Sequence, residues 1–228
     1  MKQLSNKIMK AARCFLIVWF VATLPIVLVL AFNAYTRFVF LETCAHWWGK
    51  LRPINYVFIG DSNTVGGGNW GWRLKHNPFA ARNLGEGGYM VWQVKGKLAM
   101  ALSYHPKFIF VLAGTNDLFS RDGINQGTID DFDEMLRTIK NAHAKAVVTL
   151  VPYEESTENA NEISMFNEKL KELCKKENAI VVDLNPVIAP SGKLLPKYTW
   201  DGIHFSQAAY YLWQNELRGI ISTNGNAT

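Results

Sequence analysis

At 228 residues, 49% hydrophobic and 19% charged, the chain has room for one ordinary domain with a sizeable core and some accessory sequence. Its net charge of +5 sits mostly at the front: without Lys2, Lys7, Lys10 and Arg13, 20 Lys and Arg face 19 Asp and Glu. That balance, with no basic stripe interleaved by aromatics, argues against a nucleic-acid partner. Three cysteines in three unrelated contexts give no metal site or disulfide framework, and no cofactor is implied.

Residues 1–13 read as a basic cytoplasmic tail. Cys14 to Phe32 carries no charge over 19 residues, close to the ~20 a helix needs to cross a hydrocarbon core, so 14–33 reads as a transmembrane signal anchor. Pro25 inside it is tolerated in such helices. The preceding cations place the N-terminus in the cytoplasm and the rest outside, periplasmic or at the cell surface if the source is bacterial. A cleaved signal peptide is the competing reading, but the run is long for one and Ala31-Phe32-Asn33-Ala34 lacks its small-x-small spacing. Residues 34–53, with Tyr35, Trp47 and Trp48, suit a collar at the membrane interface or a first helix of the domain. The cysteines read as free thiols, buried or lipid-facing; an oxidising compartment would allow Cys44 and Cys174 to pair, although nothing in the sequence specifies it.

From 54 to 222 the pattern alternates strand and helix. Asn55 to Gly60 is an apolar run that stops on Gly60-Asp61-Ser62, and a short helix follows near Trp70 to Lys75. Ala80 to Leu84 reads as a second strand, Tyr89 to Tyr104 as one helix, and Phe108 to Ala113 as a strand covered on both faces. Ile129, Phe132, Leu136 and Ile139 recur at helical spacing, with Thr128 as the expected N-cap. Strands over Ala146 to Val151 and Ala179 to Leu184 flank a helix over Glu158 to Lys176, and a last helix covers Ser206 to Ile221 before a frayed tail, 223–228. This order predicts a three-layer αβα sandwich around a five-stranded parallel sheet. Ser62, Gly85 and Asn116 directly follow the first three strands, and ligands in such sheets bind beyond the strands' carboxyl ends.

Four short polar blocks stand out: Gly60-Asp61-Ser62, Asn83-Leu84-Gly85-Glu86-Gly87-Gly88, Gly114-Thr115-Asn116-Asp117 and Asp201-Gly202-Ile203-His204. In order and rough spacing they resemble the four blocks of the SGNH or GDSL hydrolase family, over residues 54 to 222. The family's letters fall on Ser62, Gly85, Asn116 and His204. Asn63 departs from the leucine many members carry. The resemblance implies a flavodoxin-like fold and a metal-free serine esterase.

In that chemistry Ser62 is the nucleophile and His204 its base, while Asp201, three residues upstream, orients the imidazole. The N–H groups of Ser62 and Gly85 and the Asn116 amide would hold the oxyanion. Trp70, Trp72, Tyr89, Trp92 and Trp200 crowd the same stretches, as core residues or as a platform for a sugar. With an outward-facing domain this suggests removal of O-acetyl or other short acyl groups from a glycan. Lipid ester or thioester hydrolysis, acyl transfer to a second alcohol, and a non-catalytic glycan-binding module are the alternatives.

Overall fold

The computed structural model describes residues 15, 19, 21–27, 33–52 and 54–224. The expected span at 14–33 falls largely outside them, as do the basic tail and residues 225–228. Residues 21–27 are helical, and among the described residues no helix is long and apolar enough to cross a membrane. The chain divides into two compact units, Met1–Thr43 and Cys44–Thr228.

Helix α1 (Ala34–Gly49) ends within the second unit. There Trp48 lies 5.8 Å from the Phe79 ring and His46 Nδ1 is 2.9 Å from the Tyr104 hydroxyl. Its last turns are therefore part of the domain's packing. Trp47, 61% exposed, lies under the Lys50 ammonium.

Five strands make one parallel sheet: β1 (Tyr56–Gly60), β2 (Ala81–Asn83), β3 (Phe108–Leu112), β4 (Lys145–Thr149) and β5 (Ile180–Val182), in the order β2-β1-β3-β4-β5. β1 lies between β2 and β3, in register Tyr56 with Ala81 and with Phe108. Buried on both faces, β1 and β3 are apolar throughout, and alternate residues feed two cores. Val57, Ile59, Ile109 and Val111 pack with helices α4 (Val91–Gly96), α5 (Leu98–Ser103), α7 (Gln126–Asn141) and α8 (Ala160–Glu177), with α6 (Thr115–Leu118) adjoining through Leu118.

Tyr56, Phe58, Phe108 and Phe110 pack on the opposite face. Covering them are α3 (Trp70–Arg73), the short α9 (Asn185–Ile188) and α10 (Gln207–Asn224), while α2 (Ser62–Gly66) leaves the end of β1. Trp70 and Phe110 each stack on Phe58 at 4.3 Å, and Trp213 meets Trp70 edge-on at 4.8 Å. Trp213 Nε1 donates to Thr149 Oγ1 at 2.9 Å, which satisfies the indole without water.

The structure corrects two local expectations. The single helix over 89–104 is two, broken at Lys97: glycine at 96 weakens the helix, Lys97 N–H bonds Val94 O in a tighter turn, and Ala101 N–H restarts on Lys97 O. The N-cap of α7 is Asn125 rather than Thr128; Asn125 Oδ1 accepts the Thr128 N–H, so the helix starts before its first apolar residue. The thiols of Cys44 and Cys174 are both free, and burial pushes the Cys174 thiol up to about 12.

Phe58 joins the strand to the Trp70 and Trp213 cluster, so Phe58→Ala is expected to cost about 3–5 kcal/mol in urea unfolding. A loss below about 1 kcal/mol would show that the stack is not central to the core.

Candidate active site

β1 ends at Gly60, and the chain turns at once into α2. Asp61 caps that helix by accepting the Asn63 N–H on Oδ1 at 3.0 Å, and its own N–H bonds Leu112 O on β3. Ser62 is thus the first residue of a helix held against the carboxyl ends of two central strands. Among the described residues its N–H has no acceptor.

The last block folds back over this turn. Thr199 Oγ1 donates to His204 O, and Asp201 Oδ1 accepts the N–H groups of Ile203 and His204 at 3.1 and 2.8 Å. Asp201 Oδ2 lies 2.6 Å from His204 Nδ1, and His204 Nε2 lies 2.9 Å from Ser62 Oγ. A carboxylate can only accept, so Nδ1 carries the proton and Nε2 is left to accept from the serine hydroxyl. Burial alone would raise the Asp201 carboxyl, but the bonds from His204 and Ile203 outweigh it and hold it below its ordinary range.

Two contacts fix this loop to the Ser62 turn across more than 140 residues of chain. Asn63 Oδ1 accepts the Phe205 N–H at 2.8 Å, and the Tyr210 hydroxyl donates to Asn63 O at 2.9 Å. The departure from leucine at position 63 therefore has a structural use: a polar side chain beside Ser62 grips the residue after His204. Leucine could not make that bond.

Gly85 follows β2 and Asn116 lies in α6, just after β3, so all three expected oxyanion donors follow neighbouring strands. Their N–H groups are differently disposed. The Asn116 amide spends one hydrogen on Tyr89 O at 2.9 Å and keeps the other free of partners among the described residues. The Gly85 N–H, expected to face substrate, donates to Asn83 Oδ1 at 3.1 Å. Glycine is needed at 85 for packing: a Cβ there would lie 2.7 Å from Val65 N.

Asn83 was not singled out from the sequence. Its Nδ2 caps the end of α2 by donating to Thr64 O and Gly68 O at 3.0 and 2.9 Å. One buried amide thereby ties β2, Gly85 and the serine helix together.

A cavity of about 450 Å³ opens beside Ser62 and His204, lined also by Gly66, Trp200, Gln207 and Tyr210. Of the five aromatics that read as core residues or as a platform, Trp200 lines it: its ring stacks on His204 at 5.4 Å and 21° and is 72% exposed. Trp70 does not; it is fully buried against Phe58 and donates to Thr64 O. Trp92 borders a separate depression with Asp117 and Thr128, Tyr89 packs against the core, and Trp72 is exposed outside either cavity.

Over residues 58–212, well over half its length, the chain matches the model of the GDSL-like Lipase/Acylhydrolase family. The five-stranded parallel sheet between helical layers is an α/β fold that matches the SGNH hydrolase fold. The chain belongs to the GDSL-like lipase/acylhydrolase family and is an ester hydrolase. The fold is shared with a GDSL-like lipase from Bacteroides thetaiotaomicron (TM-score 0.66, 20% identity, covering 75% of this chain and 89% of that one). It is shared too with a lipase/acylhydrolase from Enterococcus faecalis (TM-score 0.60, 22% identity, 75% and 96%).

Among curated proteins, an N-acylneuraminate cytidylyltransferase of Streptococcus agalactiae serotype V is 24% identical over 172 residues, 75% of this chain and 39% of that protein. One from Escherichia coli O18:K1:H7 is 27% identical over 161 residues, 66% and 37%. The chain thus spans about two fifths of the length of the curated relatives it matches.

Burial pushes Asp61 up to about 6 despite its bonds to backbone amides, and Asp117, which accepts the Val91 N–H, also up to about 6. Both carboxyls bind protons more tightly folded than unfolded, so their contribution to stability falls as pH rises from ~4 to ~6 and levels off above that. Asp61→Asn keeps the capping acceptor and removes one titration. Its urea midpoint is expected to vary less than wild type across that window, and an unchanged slope would contradict the buried-acid account.

Proposed function

We propose that Ser62, His204 and Asp201 form the catalytic triad of an esterase that removes acetyl or other short acyl groups from a sugar. The observation that carries this reading is the continuous hydrogen-bonded path from Asp201 through His204 to the serine hydroxyl. Ser62 Oγ attacks the ester carbonyl as His204 Nε2 takes its proton. The oxyanion rests on the Ser62 N–H and the free Asn116 N–H, and the Gly85 N–H joins them when it is shared away from Asn83. His204 then protonates the departing sugar hydroxyl. Water, deprotonated by the same imidazole, releases the carboxylic acid and restores Ser62.

Two features favour a sugar over a long-chain lipid. The cavity is modest, with polar groups on its walls, and its exposed indole offers a flat face beside the base. The partial likeness to proteins named for N-acylneuraminate, an acylated sugar acid, points the same way. The basic tail at 1–13 and the apolar run at 14–33 support a membrane-tethered enzyme facing away from the cytoplasm.

The test is hydrolysis of p-nitrophenyl esters of increasing chain length and of O-acetylated sugars. Activity is expected on short chains and acetyl sugars and is lost in Ser62→Ala; preference for long chains would move the substrate to lipids. Asn116→Ala is expected to fold and to lose about 100 to 1,000-fold in kcat. A near-wild-type rate would remove Asn116 from the oxyanion site.

A further inference from the structure

Arg73 is a half-buried cation with no carboxylate partner among the described residues. Its acceptors are neutral. Nε donates to Gly67 O, Nη2 donates to Gln207 Oε1 at 3.3 Å, and the guanidinium lies 4.5 Å from the centre of the Tyr210 ring. Gln207 and Tyr210 both line the cavity that holds Ser62 and His204, so the cation stands directly behind that cavity's wall. Removing a guanidinium from water without an anion is unfavourable, and burial already lowers the Arg73 pKa. Three of its five N–H donors have no acceptor among the described residues.

We infer that Arg73, reached past Gln207, is the specificity residue for a substrate that carries a carboxylate, an O-acylated sugar acid. The inference rests on the esterase reading above. The bond from Arg73 to Gln207 is long and exposed, so rotating one side chain lets a substrate carboxylate replace Oε1 as the acceptor. The planar fork then meets the carboxylate through two parallel charge-assisted bonds. Tyr210 limits the orientations of the fork, because the guanidinium lies against its ring and its hydroxyl is bonded to Asn63 O. An acid group held there leaves the rest of the sugar to lie in the cavity between Trp200 and Ser62.

The experiment compares kcat/KM of the full chain on mono-O-acetylated N-acetylneuraminic acid and on its carboxamide, which differ in charge and share the acetyl ester. Wild type is expected to favour the acid by about 10 to 100-fold, mostly through KM, the range charged hydrogen bonds support. Arg73→Gln and Gln207→Glu are each expected to bring that ratio close to one. Gln207→Glu supplies the guanidinium with an internal carboxylate at an exposed position, so it tests the same site without disturbing the core.

No preference in wild type, or a ratio unchanged in both variants, would overturn the inference. If both substrates are cleaved equally in a Ser62-dependent way, Arg73 is only a packing cation and the esterase reading stands. If neither they nor p-nitrophenyl acetate is cleaved through Ser62, the esterase reading itself falls.

Discussion

The hydrogen bond between Asn63 Oδ1 and the Phe205 N–H is the constraint on which the site depends. Ser62 is delivered by the first strand and His204 by a loop near the end of the chain, and nothing in the sheet itself brings them together. The bond places Asn63, which follows the serine, against Phe205, which follows the histidine. With it in place, the 2.9 Å separation between His204 Nε2 and Ser62 Oγ follows from local geometry rather than from two flexible loops meeting by chance. The buried Tyr210 hydroxyl adds a second tie to the same asparagine. Preorganisation of this kind lets a polar site act without reorganising at the moment of reaction.

The rest of the molecule supplies rigidity to that junction. β1 is bonded to strands on both sides, so the turn after it has little freedom. Trp70 fills the space between Phe58 and α10, and its indole also bonds a carbonyl of the serine helix. The aromatic core and the Ser62 helix are thus mechanically one piece. Asn83 plays the same part from the edge strand, where one amide spans the end of α2 and the Gly85 loop.

Much of this was legible in the residues. The two central strands announce themselves as apolar runs because a parallel sheet buries both faces, and the polar motifs fall after strands because that is where such a sheet opens. The misreadings have physical causes. The first turn of α7, Gln126 and Gly127, is polar, so apolar periodicity could not locate its start. A tryptophan near a catalytic motif looks the same in sequence whether it fills a core or flanks a pocket; Trp70 does the first and Trp200 the second. The direction of the Gly85 N–H depends on the rotamer of Asn83 two residues earlier, which no spacing rule encodes. Arg73 comes to stand behind the cavity wall only through the packing of α3 on α10, a contact between segments more than 130 residues apart.

The measurement that tests the central claim most directly is covalent labelling with a fluorophosphonate, read by intact mass and peptide mapping. The account predicts one adduct per chain, on Ser62, with labelling strongly slowed in His204→Ala because the hydroxyl loses its base. An adduct on another residue, or equal labelling with and without the imidazole, would contradict the assignment of this hydrogen-bonded path as the catalytic one.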